Sequence, residues 1–374
     1  MDKDIVIVGG GIAGLSAAAK LAPFASVAVV EREPQLGFHS SGRSATMFHN
    51  AMGSHLVRAL SACSEPFFKD TGDFSPVPLS SPRPGLFVMG AAKAEELRRF
   101  FAEMQEVTNG VEMIGGDRIR ALVPVLRTDP EHFPHAILDH GGRRIDSDAL
   151  LQGYARQARK HGAEILTDSG VTAVAREGDS WRIRAGGREF QTPVVVNAAG
   201  AWADVLARIA GVKPVHLSPL RRTLILFDGP PGQETKDWPF VRSLEDHFYF
   251  LPEAGRLLGS AADENPSEPT DAQAEELDVA LAAHRIEEAT TMQIRRIHHR
   301  WAGLRSFTPD RKPAIGFAPD APGFFWLAGQ GGYGLQTSPA LSDAAASLLL
   351  DRPWPERLSG LGVEASDMSP ARFG

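Results

Sequence analysis

Two hydrophobic rhythms alternate along the chain. Short continuous apolar runs at 5–8, 27–30 and 194–196 read as strands buried on both faces. Between them lie segments with helical periodicity. An Ala/Leu-rich run follows Gly14, and a helix is expected around Cys63. An amphipathic helix is expected over 92–106, with Leu97, Phe100, Phe101 and Met104 on one side. Another spans 146–161, capped by Asp146 or Ser147. Long helices are also expected over 271–292 and 338–350. Further strands fall at 164–166, 171–176, 181–185, 314–316 and 324–328. Residues 221–227, 240–243, 247–251 and 256–260 read as an antiparallel meander, whereas Pro76, Pro78, Pro82 and Pro84 leave 74–85 without a regular element.

This order predicts an α/β (α+β, two-domain) architecture. A Rossmann-like domain is assembled from 1–50, 141–214 and 300–374. A second, antiparallel-sheet domain comes from 51–140 and 215–299. Ligands then belong at the seam, beyond the carboxyl ends of the parallel strands. The 374 residues suffice for two cores. A net charge of −7 with scattered basic residues argues against a nucleic-acid surface. The single cysteine, Cys63, excludes an intrachain disulfide and reads as a small buried thiol. No Cys/His cluster suggests a metal, and no apolar run has membrane-spanning length. No signal peptide fits before the first strand, so the cytoplasm is the default, with a peripheral place at the inner membrane left open.

The first apolar run leads into Gly9-Gly10-Gly11-Ile12-Ala13-Gly14, and the second ends at Glu31. Gly9 permits a tight turn, Gly11 lets backbone amides approach a pyrophosphate, and Gly14 lets the helix pack on the strand. The helix N-terminus faces phosphate, and Glu31 is placed to accept from a ribose. A dinucleotide is expected. Its N-terminal position suits FAD, although Glu31 alone fits either FAD or NAD.

Three further stretches carry chemistry. They are Asn197-Ala198-Ala199-Gly200-Ala201-Trp202, Trp301-Ala302-Gly303-Leu304-Arg305-Ser306-Phe307-Thr308-Pro309-Asp310, and Ala328-Gly329-Gln330-Gly331-Gly332-Tyr333-Gly334-Leu335-Gln336-Thr337-Ser338-Pro339. Together with the opening unit they resemble the D-amino-acid-oxidase-like flavoproteins, nearly end to end. The resemblance is nearest the bacterial D-arginine dehydrogenase type, through Glu31-Arg32-Glu33, Gly42-Arg43-Ser44-Ala45, Ser81-Pro82-Arg83-Pro84 and Arg221-Arg222. It implies noncovalent FAD, since no cysteine lies near the closing motif. It places the adenosine and pyrophosphate along Gly9, Gly11, Ile12, Ala13, Gly14, Glu31 and Arg32, with Val171, Ala199, Gly200 and Trp202 nearby. The ring lies against Gly42, Arg43, Ser44 and Ala45, then Gly303 and the loop Gly331, Gly332, Tyr333, Gly334, Leu335 and Gln336. Four glycines before a helix let amides meet a flat ring, and the helix end favours negative charge there.

Arg222 and Arg305 each sit in an apolar stretch, where an arginine needs an anion. The resemblance implies that they hold the substrate's α-carboxylate, with Tyr249 donating to it and Gly332 at the reacting centre. A structural salt bridge for the arginines, or a core tyrosine, are the plain alternatives. The expected reaction passes a hydride from Cα of an α-amino acid, of D configuration, to flavin N5. The imino acid then hydrolyses to a 2-oxo acid and ammonia. No obligatory His/Asp pair is expected.

The side-chain pocket departs from the D-arginine pattern. Met47 and Met52 stand where a histidine and a tyrosine are expected, Gly85 replaces an acid, and Arg242 replaces an apolar residue. The pocket should therefore favour an apolar or acidic side chain. Arg242 joins it only if a four-residue turn at 244–247 pairs it with Tyr249. Oxidation of a 2-hydroxy acid is the second reading, with His49 as the base an alcohol requires. A non-catalytic flavoprotein is the third, opposed by the presence of Arg222, Tyr249 and Arg305. The electron acceptor, whether oxygen, a quinone or an electron-transfer protein, is left open.

Overall fold

The computed structural model describes residues 1–50 and 52–374. Residue 51, the first of the expected second domain, lies outside them. A six-stranded sheet runs in the order Ala314–Phe317, Phe324–Ala328, Val194–Asn197, Ile5–Val8, Val27–Val30, Glu164–Leu166. Its pairings are parallel except at the Ala314–Phe317 edge. The continuous apolar runs follow from burial on both faces. Ile5, Ile7, Val27 and Val29 pack against the first helix, Ile12–Leu21, and the closing helix, Gly334–Leu349. Val6, Val8, Ala28 and Val30 face Trp181, Ile183 and Phe190 of an antiparallel three-stranded sheet spanning 171–192. Alternate residues of one strand thus serve two cores.

A small sheet joins Met47–Phe48, Arg143–Ile145 and Ser80–Pro82, and a larger one has nine strands. Its main path is Asn265–Pro266, Ser218–Phe227, Arg256–Ser260, Tyr249–Glu253, Phe240–Ser243, Gly85–Val88, His135–Asp139, Val111–Gly115. Ile297–Phe307 pairs with Ser218–Phe227 along almost its full length. This strand straddles the domain boundary expected at 300. The pairings of this nine-stranded sheet are antiparallel apart from Phe240–Ser243 with Gly85–Val88. One face, with Ile225, Val241 and Phe250, packs on the helix Glu276–Ala289. The other carries Leu224, Phe240 and Tyr249, with Ala45, Met47 and Met52 against it.

Several expected elements shift. The long helix is shorter than 271–292, covering Glu276–Ala289. The closing helix begins at Gly334, a turn before Ser338, and runs through Pro339. Proline cannot bond the carbonyl of Leu335, which instead accepts from the Ser338 hydroxyl at 2.9 Å. The proline-rich 74–85 segment contains a short strand, Ser80–Pro82, and Gly85 opens another. Cys63 is half-buried, and burial raises its thiol pKa. No helix among the described residues is long and apolar enough to cross a membrane. They also hold no group of three or more His, Cys, Asp or Glu side chains suited to a metal ion.

Candidate active site

Two adjoining cavities lie between the sheets. The first is bordered by Val8, Gly9, Gly11, Glu31, Arg32, Val171, Ala199, Gly200 and Trp202. A Cβ on Gly9 would lie 2.3 Å from the Ala198 carbonyl oxygen, and one on Gly14 2.0 Å from that of Gly9. These two glycines hold the turn against its neighbours. Gly11 differs, since a Cβ there would meet just the Ser41 hydroxyl, at 3.4 Å. Its backbone is open towards a ligand. Ile12 N donates to Ser41 Oγ at 3.0 Å, and Glu31 accepts from the amides of Gly10 (2.6 Å) and Glu33 (2.9 Å). The Arg32 guanidinium stacks 4.3 Å above the Trp202 ring. A glycine turn, an open helix N-terminus and an acid at the second strand suit a dinucleotide.

The second cavity shares Gly11, Ser40, Ser41, Ala198 and Gly200 with the first. It is lined by Ile12, Ala13, Arg43, Ser44, Ala45, Met47, His49 and Met52 on one side. Opposite stand Arg222, Arg242, Tyr249, Gly303, Arg305 and the loop Gly331, Gly332, Tyr333, Gly334, Leu335 and Gln336. Gly14, Gly42 and Gly85 do not line either cavity. Gly42 packs under the loop, where a Cβ would lie 2.7 Å from the Gly37 carbonyl oxygen. The Arg43 side chain turns to structural partners, donating to the carbonyls of Phe38, Ala272 and Ala302 and to Asp271.

Strand register explains the cationic wall. Arg222 pairs with Gly303 across the two long strands, so Arg305, two residues on, shares its face. Arg222 is buried; its Nε donates to the Asp263 carbonyl at 2.6 Å. Arg305 lies flat against Gly332, where a Cβ would fall 1.6 Å from Nη2. Burial and then the neighbouring Arg222 push the Arg305 guanidinium below its ordinary pKa. Arg242 pairs with Tyr249, and Ser243 N donates to the Phe248 carbonyl at 2.9 Å, giving the four-residue turn. Arg242 therefore faces the cavity, paired with Asp246, and its Nε is buried without a hydrogen-bond partner. Burial opposes its charge, but Asp246, Tyr333 and Tyr249 raise its pKa.

One pairing is added and one expectation is corrected. A His/Asp pair does exist. His49 Nδ1 donates to Asp139 Oδ2 at 3.1 Å, both side chains being buried. Gly141 N donates to the other Asp139 oxygen at 2.8 Å. The imidazole stacks on Phe240 and meets the edge of Phe87, leaving Nε2 buried and unpartnered. Gly85, expected in the side-chain pocket, does not line it. A Cβ there would lie 2.7 Å from His49 Cε1, and one on Gly142 2.5 Å from the same atom. Both glycines cradle the imidazole. Asp139, Asp246 and Glu264, which bonds Arg222 and Arg305, were not legible beforehand. Asp139 ends a buried strand 90 residues from His49, with no local signal linking them.

The chain belongs to the DAO family of FAD-dependent oxidoreductases, whose model matches residues 4–348. FAD is the cofactor that its dinucleotide cavity is built to take. Glycine oxidase of Bacillus licheniformis is 23% identical over 371 residues, covering 94% of each chain. Human mitochondrial sarcosine dehydrogenase is 27% identical over 258 residues, 64% of this chain. The chain spans 28% of that relative's length. The FAD-bound L-α-glycerophosphate oxidase of Mycoplasma pneumoniae superposes with a TM-score of 0.84 at 18% identity, covering 94% of this chain and 95% of its own.

Proposed function

We propose that the protein oxidises Cα of an α-amino acid, of D configuration, to the imino acid, which water converts to a 2-oxo acid and ammonia. The observation that carries this reading is the convergence of Arg222, Arg305 and Tyr249 on one cavity that adjoins the dinucleotide cleft. Two guanidiniums fix a carboxylate and so orient the carbon beside it. Gly332 keeps the backbone low enough for Arg305 to lie across it. FAD, held along Gly9 to Gly14, Glu31, Ser44, Ala45 and Gly331 to Gln336, supplies the two-electron acceptor. The preference for the D isomer rests on the resemblance in the Glu31-Arg32-Glu33 and Gly42-Arg43-Ser44-Ala45 segments. The discontinuous two-domain division is part of the same proposal, with the cavities at the seam.

The side-chain wall of Met47, Met52, Phe240 and Arg242 supports an apolar or acidic substrate. A panel of D- and L-amino acids, assayed with oxygen and with an artificial acceptor, tests this. We expect turnover of D-amino acids such as leucine or glutamate. Efficient use of D-arginine refutes the side-chain assignment, and inactivity on every amino acid refutes the reaction class.

The His49–Asp139 pair favours a second reading, oxidation of a 2-hydroxy acid. An alcohol must lose a proton as its carbon is oxidised, and a carboxylate on Nδ1–H leaves Nε2 as an acceptor. The same panel with 2-hydroxy acids decides between the two.

A further inference from the structure

Glu264 stands between the cations of this site. Its Oε1 accepts from Arg305 Nη1 at 3.3 Å, Arg222 Nη2 at 3.4 Å and Arg311 Nη2 at 3.0 Å. Its Oε2 accepts from Arg311 at 3.1 Å. One carboxylate is thus shared by the two guanidiniums assigned to the substrate and by a third at the surface. Glu264 is not among the residues lining the cavity, so it acts on the arginines from beside the substrate space.

Both arginines have contacts besides Glu264. Arg222 is tied to the Asp263 carbonyl at 2.6 Å and stands 5.9 Å from the Tyr249 ring centre. Arg305 rests against Gly332, with the Phe307 and Tyr333 rings 5.7 and 6.0 Å away. Glu264 therefore contributes chiefly its charge. It withdraws one negative unit's worth of attraction from any carboxylate that docks beside it.

We propose that Glu264 is an internal competitor for the substrate carboxylate, setting how tightly the site holds substrate and product acids. This rests on Arg222 and Arg305 being the carboxylate site. Arg311 sits on the far side of Glu264, its guanidinium 3.7 Å above the Phe307 ring, and shields part of that negative charge. The two residues then act with opposite signs. Removing the charge of Glu264 strengthens carboxylate binding, and removing that of Arg311 weakens it. A purely structural ion cluster loosens in both cases.

Acetate is the simplest probe, titrated calorimetrically into the FAD-loaded protein at low ionic strength. Glu264→Gln should lower its Kd about tenfold, and Arg311→Gln should raise it about threefold, for charges a few ångströms apart in a partly buried site. Arg311 is half-exposed, so its variant tests the proposal even where Glu264→Gln folds poorly. An unchanged or higher Kd for Glu264→Gln, or an unchanged or lower one for Arg311→Gln, overturns the proposal. Arg305→Ala is the control. Should it leave acetate binding intact, the carboxylate site itself is wrong and the proposal falls with it. Weaker binding in Arg305→Ala, with no gain in Glu264→Gln, removes the competitor alone.

Discussion

A methyl group at Gly332 should disable Arg305 without touching its charge. In Gly332→Ala the new Cβ would lie 1.6 Å from Arg305 Nη2, 2.2 Å from Cζ and 2.3 Å from Nε. Contact near 3.5 Å requires the guanidinium to retreat by about 2 Å. That shift takes it out of reach of a carboxylate held by Arg222. Truncating one partner of a buried charge pair costs about 2–5 kcal/mol, or roughly thirty- to several-thousand-fold in affinity. Arg305→Ala should show this loss directly, and Gly332→Ala should approach it. Arg222→Lys keeps the charge and loses the fork, so its loss should be much smaller. The assay is a double-mutant cycle on the acetate Kd, with flavin content measured alongside. Since both changes remove one contact, the double variant should bind no worse than the weaker single one. Additive losses would show that Gly332 and Arg305 act separately. Near-zero losses in all three arginine and glycine variants would make the cluster structural.

The purified protein should be yellow and release FAD on acid or heat treatment, since Cys63 lies outside both cavities and bonds the Arg357 carbonyl. Flavin that precipitates with the protein would show a covalent link. Arg305→Lys should bind acetate near neutrality and lose it as pH rises. Burial and Arg222 depress a cation here, so a lysine would shed its proton below its usual value of about 10.4. A pH-independent Kd up to pH 10 would contradict that environment. Asp139→Asn should lower kcat on 2-hydroxy acids about a hundredfold while leaving amino-acid oxidation within severalfold. Equal losses on both substrate classes would reduce the His49–Asp139 pair to a structural role.

What the sequence made legible is what the backbone dictates locally. The opening strand, glycine turn, helix and second strand fall at the expected positions, because each glycine answers a contact within the unit or with its neighbour strand. The placing of Arg242 was legible as a condition on turn length, which the pairing with Tyr249 meets. Ile297–Phe307 was hidden in its first half. Its His-His-Arg run shows no clear alternation, and its strand state depends on partners some 80 residues earlier in the chain. Ser80–Pro82 was hidden by its prolines, which a short edge strand tolerates. Arg222, Tyr249 and Arg305 stood out because polar groups within apolar strands must find partners. Glu264 and Asp139 did not, because acids near strand ends are ordinary on a surface. Only tertiary pairing brings them to His49 and to the two arginines.

The exchange at Gly85 shows how such a pairing alters chemistry. The resemblance expects an acid at this position, facing a guanidinium. The structure gives the space to the His49 ring, which Gly85 and Gly142 admit by lacking side chains. An acid does stand behind the imidazole: Asp139, with both oxygens engaged by His49 and Gly141. A carboxylate facing the pocket would have held a cation directly. A carboxylate behind a ring instead fixes the ring's tautomer and leaves Nε2 as its free polar atom. With Arg242, Arg222 and Arg305 lining the same cavity, an incoming guanidinium finds like charge and no facing acid. A cationic side chain is therefore disfavoured by the cations lining the cavity and by the place of Asp139 behind the ring.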